Sequence, residues 1–348
     1  MTLPKPHWPH FRTLLVGAFG GGLAALLHIP LPWMLGAMVA AAALTWFTEV
    51  ERPPYVREAS LIVLGLGLGQ SFTGPVLAAV AGAIPAMVIA GVLTILSSLL
   101  VAGLFARLAG TDSRTAYFCT VPGGIVLMVV LAQRAGASVP AVTLSQTLRM
   151  CAVVLLFPPI ISAVAPHALD SAFSAPRLAA NVPGLAVMAA AGVAVALLAR
   201  RSGVANPWML GPCLLAIPLS GLGWMPSGVP TWLVDIAQIG MGTTLGLRLT
   251  RRFLLSARRL VVVSVVSTVA LSAILAAVAW GLGWLTDLPP AGVVLGMAPG
   301  GMPEMAVTAK ALDLAVPLVL GFHLVRVLLC NVLVGPVWRL AVATGAVR

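Results

Sequence analysis

Long apolar segments separated by short polar links make up most of this chain. Twelve segments can be marked, six in each half of the sequence. They cover residues 12–29, 31–48, 58–74, 80–106, 115–133 and 139–165, and then 179–199, 207–224, 231–247, 260–285, 291–310 and 315–342. An α-helix needs about 20 apolar residues to cross the hydrocarbon core of a bilayer. The pattern therefore predicts an all-α polytopic membrane protein.

An internal duplication sets the predicted architecture. The sequence PWMLG occurs twice, and a Pro-Gly-Gly sequence begins at both Pro122 and Pro299. Between residues 122–159 and 299–336, 12 of 38 positions are identical, and proline, glycine and arginine supply many of them. This excess over chance predicts two repeats, residues 1–172 and 173–348.

The positive charges indicate that the two repeats have opposite orientations in the membrane. In the first repeat, Lys and Arg precede the first segment and follow the second and fourth, whereas in the second repeat they follow the first and third. Because Lys and Arg favour cytoplasmic loops, inverted repeats with an odd number of crossings each are expected. The segments that contain Pro-Gly-Gly should then be broken or re-entrant. This gives about ten transmembrane helices plus two such segments, with both termini in the cytoplasm.

Composition supports a membrane protein and excludes several other classes. Residues are 60% hydrophobic and only 8% charged, whereas a soluble domain has roughly 25% charged residues. The net charge of +11 comes from residues at the ends of apolar segments, so no nucleic-acid partner is predicted. The four cysteines have no metal-like or disulfide-like spacing, and we expect no cofactor, no metal and no enzymatic activity.

Polar residues at membrane depth are the candidate functional groups, because polar groups are costly to place in a bilayer. The repeat relates Arg149 to Arg326, and Gln146 and His323 precede these arginines by three residues. Together with the glycines of the broken segments they form the predicted substrate site: Gly123, Gly124, Gln146, Arg149, Gly300, Gly301, His323 and Arg326. The predicted ion-coupling residues are Glu304 and Asp235.

Structural alternatives to these roles stay open. The arginines could tie together carbonyl groups of an unwound helix rather than hold an anion. Glu304 could form an ion pair that fixes the broken segment, and His323 could be a packing residue. Leu127 occupies the position in the first repeat that corresponds to Glu304, so the repeats are asymmetric here.

The duplicated motifs resemble those of the AbrB family of bacterial membrane proteins. The resemblance rests on PWMLG at Pro32 and Pro207, the glycine-rich third segments, and PGGMPEM at Pro299 followed by FHLVR. It covers essentially the whole chain and implies kinship with cation:proton antiporters and anion transporters built from inverted repeats. The family also carries labels as an ammonia monooxygenase and as a regulator of gene expression, but no ligand set for an oxygenase is present.

These observations predict a secondary transporter of the bacterial inner membrane. It would move a small, anionic solute coupled to H⁺ or Na⁺, with the lipid bilayer and the solute as its partners. A membrane-embedded sensor or regulator is the alternative, and a membrane oxygenase is the third and weakest interpretation. A homodimer is compatible with the sequence.

The inverted arrangement predicts the side of the membrane on which each loop lies. Arg57 and Arg251 should be cytoplasmic, and the link at Thr73 and Gly74 should be periplasmic. Single cysteines at these positions, in a cysteine-free background, can be labelled from either side with an impermeant maleimide. Labelling of position 251 from the periplasm would contradict the inverted arrangement.

Overall fold

The described part of the chain consists of helices joined by short links. The structure is a computed structural model, and it describes residues 8–164, 173, 178–204, 206–255 and 257–343. These residues form sixteen α-helices and no strand, which confirms the all-α prediction. The helices are α1 Trp8–Leu26, α2 Pro32–Phe47, α3 Val56–Gly69, α4 Gly74–Gly82, α5 Ile84–Ala109, α6 Ser113–Thr120, α7 Ile125–Ala135, α8 Val139–Val164, α9 Val182–Arg201, α10 Pro207–Gly221, α11 Thr231–Gly246, α12 Arg251–Leu255, α13 Arg258–Thr286, α14 Pro290–Met297, α15 Met302–Ala311 and α16 Val316–Ala343.

Several of these helices are suited to a bilayer. Five helices, α5, α8, α9, α13 and α16, are long and apolar enough to cross it. Shorter apolar helices accompany them, among them α2, α7 and α10. They indicate a multi-pass membrane protein, whereas ten crossings and the inverted orientation stay predictions. Both chain termini, and with them Lys5, lie outside the described residues.

The helices group into two compact units, and each unit takes helices from both halves of the sequence. Unit I contains α1 to α3 and α9 to α12. Unit II begins at Val76, within α4, and contains α5 to α8 and α13 to α16. The predicted repeats 1–172 and 173–348 are halves of the sequence, whereas each compact unit combines helices from both halves. The division into repeats stays a prediction. Its boundary adjoins residues 165–172, which lie outside the described part.

Glycine allows close helix packing in unit I. In α3, a side chain at Gly65 or Gly69 would collide with the backbone of α10. In α11, Gly242 and Gly246 approach the backbone of α2 in the same way, against Met34 O and Met38 O. Helices that meet through small residues gain dispersion contacts over a large area. The glycine-rich third segments are therefore packing elements.

In unit II the two halves fold into the same series of helices. The starts of α6, α7 and α8 are each followed, 177 residues later, by the starts of α14, α15 and α16. The long helices also pack across the two halves: α8 of the first half packs on α13 of the second, and α16 of the second half packs on α5 of the first. The two halves therefore interlock within unit II, and each completes the helix packing of the other.

Both Pro-Gly-Gly sequences interrupt a helix, as predicted. The first break, residues 121–124, separates α6 from α7, and the second break, residues 298–301, separates α14 from α15. Val121 and Ala298, which precede the prolines, have ψ values of 124° and 134°. A residue before proline is pushed out of the α region, and proline has no N–H to continue the hydrogen-bond ladder. The sequence thus ends each helix at these positions.

Close packing in unit I predicts the effect of adding a methyl group to α11. Gly242→Ala should lower the free energy of unfolding by about 1 to 3 kcal/mol, because the new Cβ collides with the Met34 carbonyl oxygen. Gly22→Ala is the matched control, since nothing lies within 4 Å of a Cβ built there. Unfolding of both variants in detergent, followed by circular dichroism, measures the difference. Equal stability of the two variants would contradict the packing role of Gly242.

Candidate functional site

A buried arginine from the same half of the sequence donates hydrogen bonds to the first break. Arg149, on α8, is 5% exposed. It donates from Nη1 to Val121 O at 2.9 Å and from Nη2 to Gly123 O at 3.5 Å. These carbonyl groups stand outside a regular helical ladder, so a charged donor satisfies acceptors that would be costly to bury alone.

The second break has the equivalent arrangement. Arg326, on α16, is also 5% exposed. It donates from Nη1 to Ala298 O and from Nη2 to Gly300 O, the latter at 3.0 Å. Donors and acceptors all correspond to those of the first break after a shift of 177 residues. Each guanidinium bridges two carbonyl groups of its break, so both arginines have the structural role that the sequence left open.

A difference between the halves appears where they meet. Arg149 Nε also donates to Pro299 O, in the second break, at 2.9 Å. The equivalent bond from Arg326 Nε to Pro122 O is not made. Instead Pro122 O lies 3.7 Å from the thiol of Cys330, and Arg326 Nε has no partner among the described residues. Arg326 therefore retains a free donor in this state, whereas Arg149 ties the two breaks together.

The residues one turn before the arginines are fully buried and use different partners. Gln146 donates from Nε2 to Phe118 O at 2.8 Å and to Val121 O at 2.9 Å, and so supports the first break. His323 Nδ1 lies 3.0 Å from Val319 O, on its own helix. A carbonyl oxygen only accepts, so the proton is on Nδ1. The lone pair of His323 Nε2 then faces no partner in the described part of the chain.

Glu304 is buried beside the second break. It is 1% exposed and is the third residue of α15, whose N-cap is Gly301. Its carboxylate lies where a side chain of Gly301 would be, so this glycine leaves room for it. A carboxylate in the first turn of a helix interacts favourably with the helix dipole. In the first half Leu127 takes the equivalent place and packs on an apolar cluster around Tyr117 and Met128.

The glycines of the breaks are not equivalent either. A side chain at Gly300 would contact Val153 and Met305, and one at Gly123 would contact Met128. Nothing lies within 4 Å of a Cβ built on Gly124. The second break is thus packed more tightly than the first. Close packing at Gly300 and Gly301 favours glycine there for steric reasons.

Most of the predicted site residues lie together in unit II, around the two breaks. Asp235 is the exception, because it belongs to the first turns of α11 in unit I and is partly exposed. Its predicted coupling role stays a prediction, as do the binding and coupling roles of the others.

Sequence reasoning missed a set of hydroxyl groups next to Arg149. A cavity of about 10 Å³ lies between α6, α8 and α13. Its lining is Cys119, Thr120, Ser145, Arg149, Ser264, Ser267, Thr268 and Leu271. Serine and threonine in apolar helices commonly bond to their own backbone, so they give little signal on their own. The spacing of Ser264, Ser267 and Thr268, which places them on one helix face, was the available signal.

Buried charge in unit II is unbalanced. Its buried charged side chains, among the described residues, are the two guanidinium groups and the carboxylate of Glu304. The buried side chains of this unit therefore carry one more positive charge than negative charge. Such an excess in a low-dielectric interior favours the binding of an anion.

Comparison with known proteins agrees with the sequence motifs. The family model described as "Transition state regulatory protein AbrB" matches residues 33–342. "Uncharacterized protein YhjN" of Bacillus subtilis (strain 168) is 27% identical over an alignment of 353 positions, which covers 94% of this chain and 91% of that protein. "Putative regulator AbrB" of Escherichia coli (strain K12) is 28% identical over 316 positions, which cover 89% of each chain. A match over most of the chain, together with the paired broken helices, shows that this chain belongs to the AbrB family.

Proposed function

We propose that this protein is a secondary transporter that moves a small anionic solute across the bacterial inner membrane. The observation that carries the proposal is the pair of helix breaks in unit II, each bridged by a buried arginine. Broken helices at membrane depth are tolerated where they are buried in protein or line a path for a solute, and two related ones are typical of transporters.

The charge of the site supports an anionic solute. Two guanidinium groups and one carboxylate are buried in unit II, among the described residues. A bound anion would neutralise the remaining positive charge and accept hydrogen bonds from the guanidinium donors. The free Nε of Arg326 is one such donor. In this proposal the solute competes with carbonyl groups of the breaks for the same guanidinium donors.

Glu304 is the proposed coupling group. It is the only buried carboxylate of unit II in the described part of the chain, and it lies in the first turn after the second break. A movement of this break changes both its desolvation and its distance from the arginines, so its affinity for H⁺ or Na⁺ changes with the transport state. Because Leu127 takes the equivalent place in the first half, the proposal assigns coupling to the second half only. The same proposal includes ten crossings, inverted repeats and cytoplasmic termini.

A membrane-embedded sensor is the second candidate. It is favoured by the names of the family model and of the Escherichia coli relative, both of which refer to a regulator. A sensor would bind the anion at the same arginines without moving it. Proteoliposomes that contain the purified protein separate the two functions. Solute uptake driven by a pH or Na⁺ gradient supports transport, and saturable binding without uptake supports sensing.

The arginines should differ in their effect on solute binding. Arg326→Gln should abolish binding or uptake. Arg149→Gln should only weaken it, because Arg149 Nε already donates a hydrogen bond to Pro299 O. Loss of a hydrogen bond to a charged partner costs about 1.5 to 3 kcal/mol, or roughly 10- to 100-fold in affinity.

Candidate anions are first screened for uptake in the same proteoliposomes, and isothermal titration with the solute identified there measures this difference. Arg134→Gln is the matched control, because Arg134 is an exposed arginine of unit II. Size-exclusion chromatography verifies that each variant remains folded. Normal binding by both folded variants would leave the arginines with a structural role alone.

Glu304 should set the dependence of transport on the coupling ion. Glu304→Gln, which resembles the protonated form, should retain solute binding and lose the pH or Na⁺ dependence of uptake. Glu304→Asp should keep coupling with a shifted pH profile, because the aspartate side chain is shorter by one methylene and moves the carboxylate. Leu127→Glu should not restore coupling to Glu304→Gln, since that position lies in an apolar cluster. Unchanged pH and Na⁺ dependence in Glu304→Gln would remove Glu304 from the mechanism.

A further inference from the structure

An open groove in unit I combines exposed charges with exposed aromatic side chains. It lies between the C-terminal end of α2 and the segment that leads into α12, and its lining comes from residues within 45–51 and 250–255, all of them in unit I. Its volume is about 1060 Å³. Pockets for small molecules usually measure about 300 to 1,000 Å³, so this groove has room for a large organic ligand.

Hydrogen bonds within unit I fix the two walls of the groove. Thr45 Oγ1, in the last turn of α2, lies 3.4 Å from Leu249 O and joins one wall to the other. On the second wall, Thr250 Oγ1 accepts a hydrogen bond from Phe253 N at 3.2 Å. A threonine hydroxyl with this partner is a helix N-cap, so α12 begins at the next residue. The sequence therefore holds the side chains of both walls in defined places.

The groove lies where apolar helices give way to charged residues. Helix α2 is apolar and ends at Phe47, and Glu49 follows two residues later. Trp46 is 46% exposed and Phe47 is 85% exposed beside these charges. Tryptophan is enriched at the level where lipid headgroups meet the hydrocarbon core. This arrangement is typical of a protein surface that contacts both headgroups and acyl chains.

Two arginines of the groove are available to a phosphate group. The guanidinium groups of Arg251 and Arg252 are exposed and form no hydrogen bond or ion pair within the part of the chain that the structure describes. Guanidinium groups are planar, permanently charged donors that match the geometry of phosphate oxygens. One wall of the groove can therefore bind a phosphate.

Negative charge in the same groove makes a purely anionic ligand unsuitable. Glu49 and Glu51 also line it, so the described lining contains two positive and two negative side chains. Glu51 Oε2 lies 4.0 Å from His10 Nε2. Glu49 is exposed and pairs with neither arginine, so its carboxylate lies more than 4.0 Å from their nitrogen atoms. A ligand that carries a phosphate and an ammonium group, with no net charge, is complementary to this lining.

We propose that this groove, the headgroup groove, binds one molecule of phosphatidylethanolamine. The lipid phosphate accepts hydrogen bonds from Arg251 and Arg252, and the ammonium group donates to Glu49. The acyl chains lie against Trp46 and Phe47. Phosphatidylcholine has the same phosphate, but its quaternary ammonium has no N–H to donate, and phosphatidylglycerol has no ammonium at all. The proposal is independent of solute transport, because it concerns binding to unit I alone.

Native mass spectrometry of the full chain in a nonionic detergent tests the proposal with these three lipids, all with identical acyl chains. The parent protein should bind phosphatidylethanolamine about three- to fivefold more tightly than the other two. Arg251→Gln combined with Arg252→Gln should weaken its binding about tenfold. Glu49→Gln should remove most of the preference over phosphatidylglycerol. Arg200→Gln combined with Arg201→Gln is the matched control, because these adjacent arginines are also exposed in unit I but lie outside the lining.

Three results would overturn the proposal. One is equal affinity of the parent protein for the three lipids. Another is an equal loss of affinity in the groove variant and in the α9 control, which indicates general charge attraction. The third is binding of soluble glycerophosphoethanolamine as tight as that of the lipid, which indicates a ligand without acyl chains. Size-exclusion chromatography verifies the fold of each variant. If the double groove variant does not fold, Glu49→Gln decides alone, and an unchanged lipid preference overturns the site.

Discussion

The satisfaction of backbone carbonyl groups at two helix breaks is the constraint on which unit II depends. A break at membrane depth exposes acceptors that lipid cannot satisfy, and each one left alone costs several kcal/mol. Arg149 and Arg326 meet this requirement with charged, planar donors that bridge two carbonyl groups each. The same interaction brings two positive charges into the interior. Structural stability and the proposed binding of an anion thus have one physical origin.

Small departures from repeat symmetry give the site its chemical differences. Arg149 Nε reaches across to the second break, whereas Arg326 Nε has no partner in the described part of the chain. Glu304 follows the second break, and Leu127 follows the first within an apolar cluster. The second half therefore contains both the unpaired guanidinium donor and the buried carboxylate on which the proposed function rests.

The interlocking of the two halves connects these local features to the whole of unit II. Helix α8 packs on α13 and α16 packs on α5, so each break is enclosed partly by helices of the other half. The small cavity beside Arg149 is one result, since α8 supplies Arg149 and Ser145 while α13 supplies Ser264 and Ser267. Interfaces of this kind have few discrete arrangements, because packed cores resist continuous deformation. The bond from Arg149 Nε to Pro299 O is one contact that joins the two halves at the second break.

The sequence by itself determined the helical class, the duplication and the positions of both breaks, because proline and glycine act on the backbone locally. It also identified Arg149, Arg326 and Glu304, since charge within apolar segments is conspicuous. Only the tertiary structure decided which carbonyl groups the arginines bond, that Asp235 belongs to unit I, and that serines of α13 meet Arg149. The bond from Arg149 to Pro299 and the approach of the α13 serines to Arg149 join residues more than a hundred positions apart. No periodicity or local propensity encodes such contacts, because they depend on how the two halves interlock.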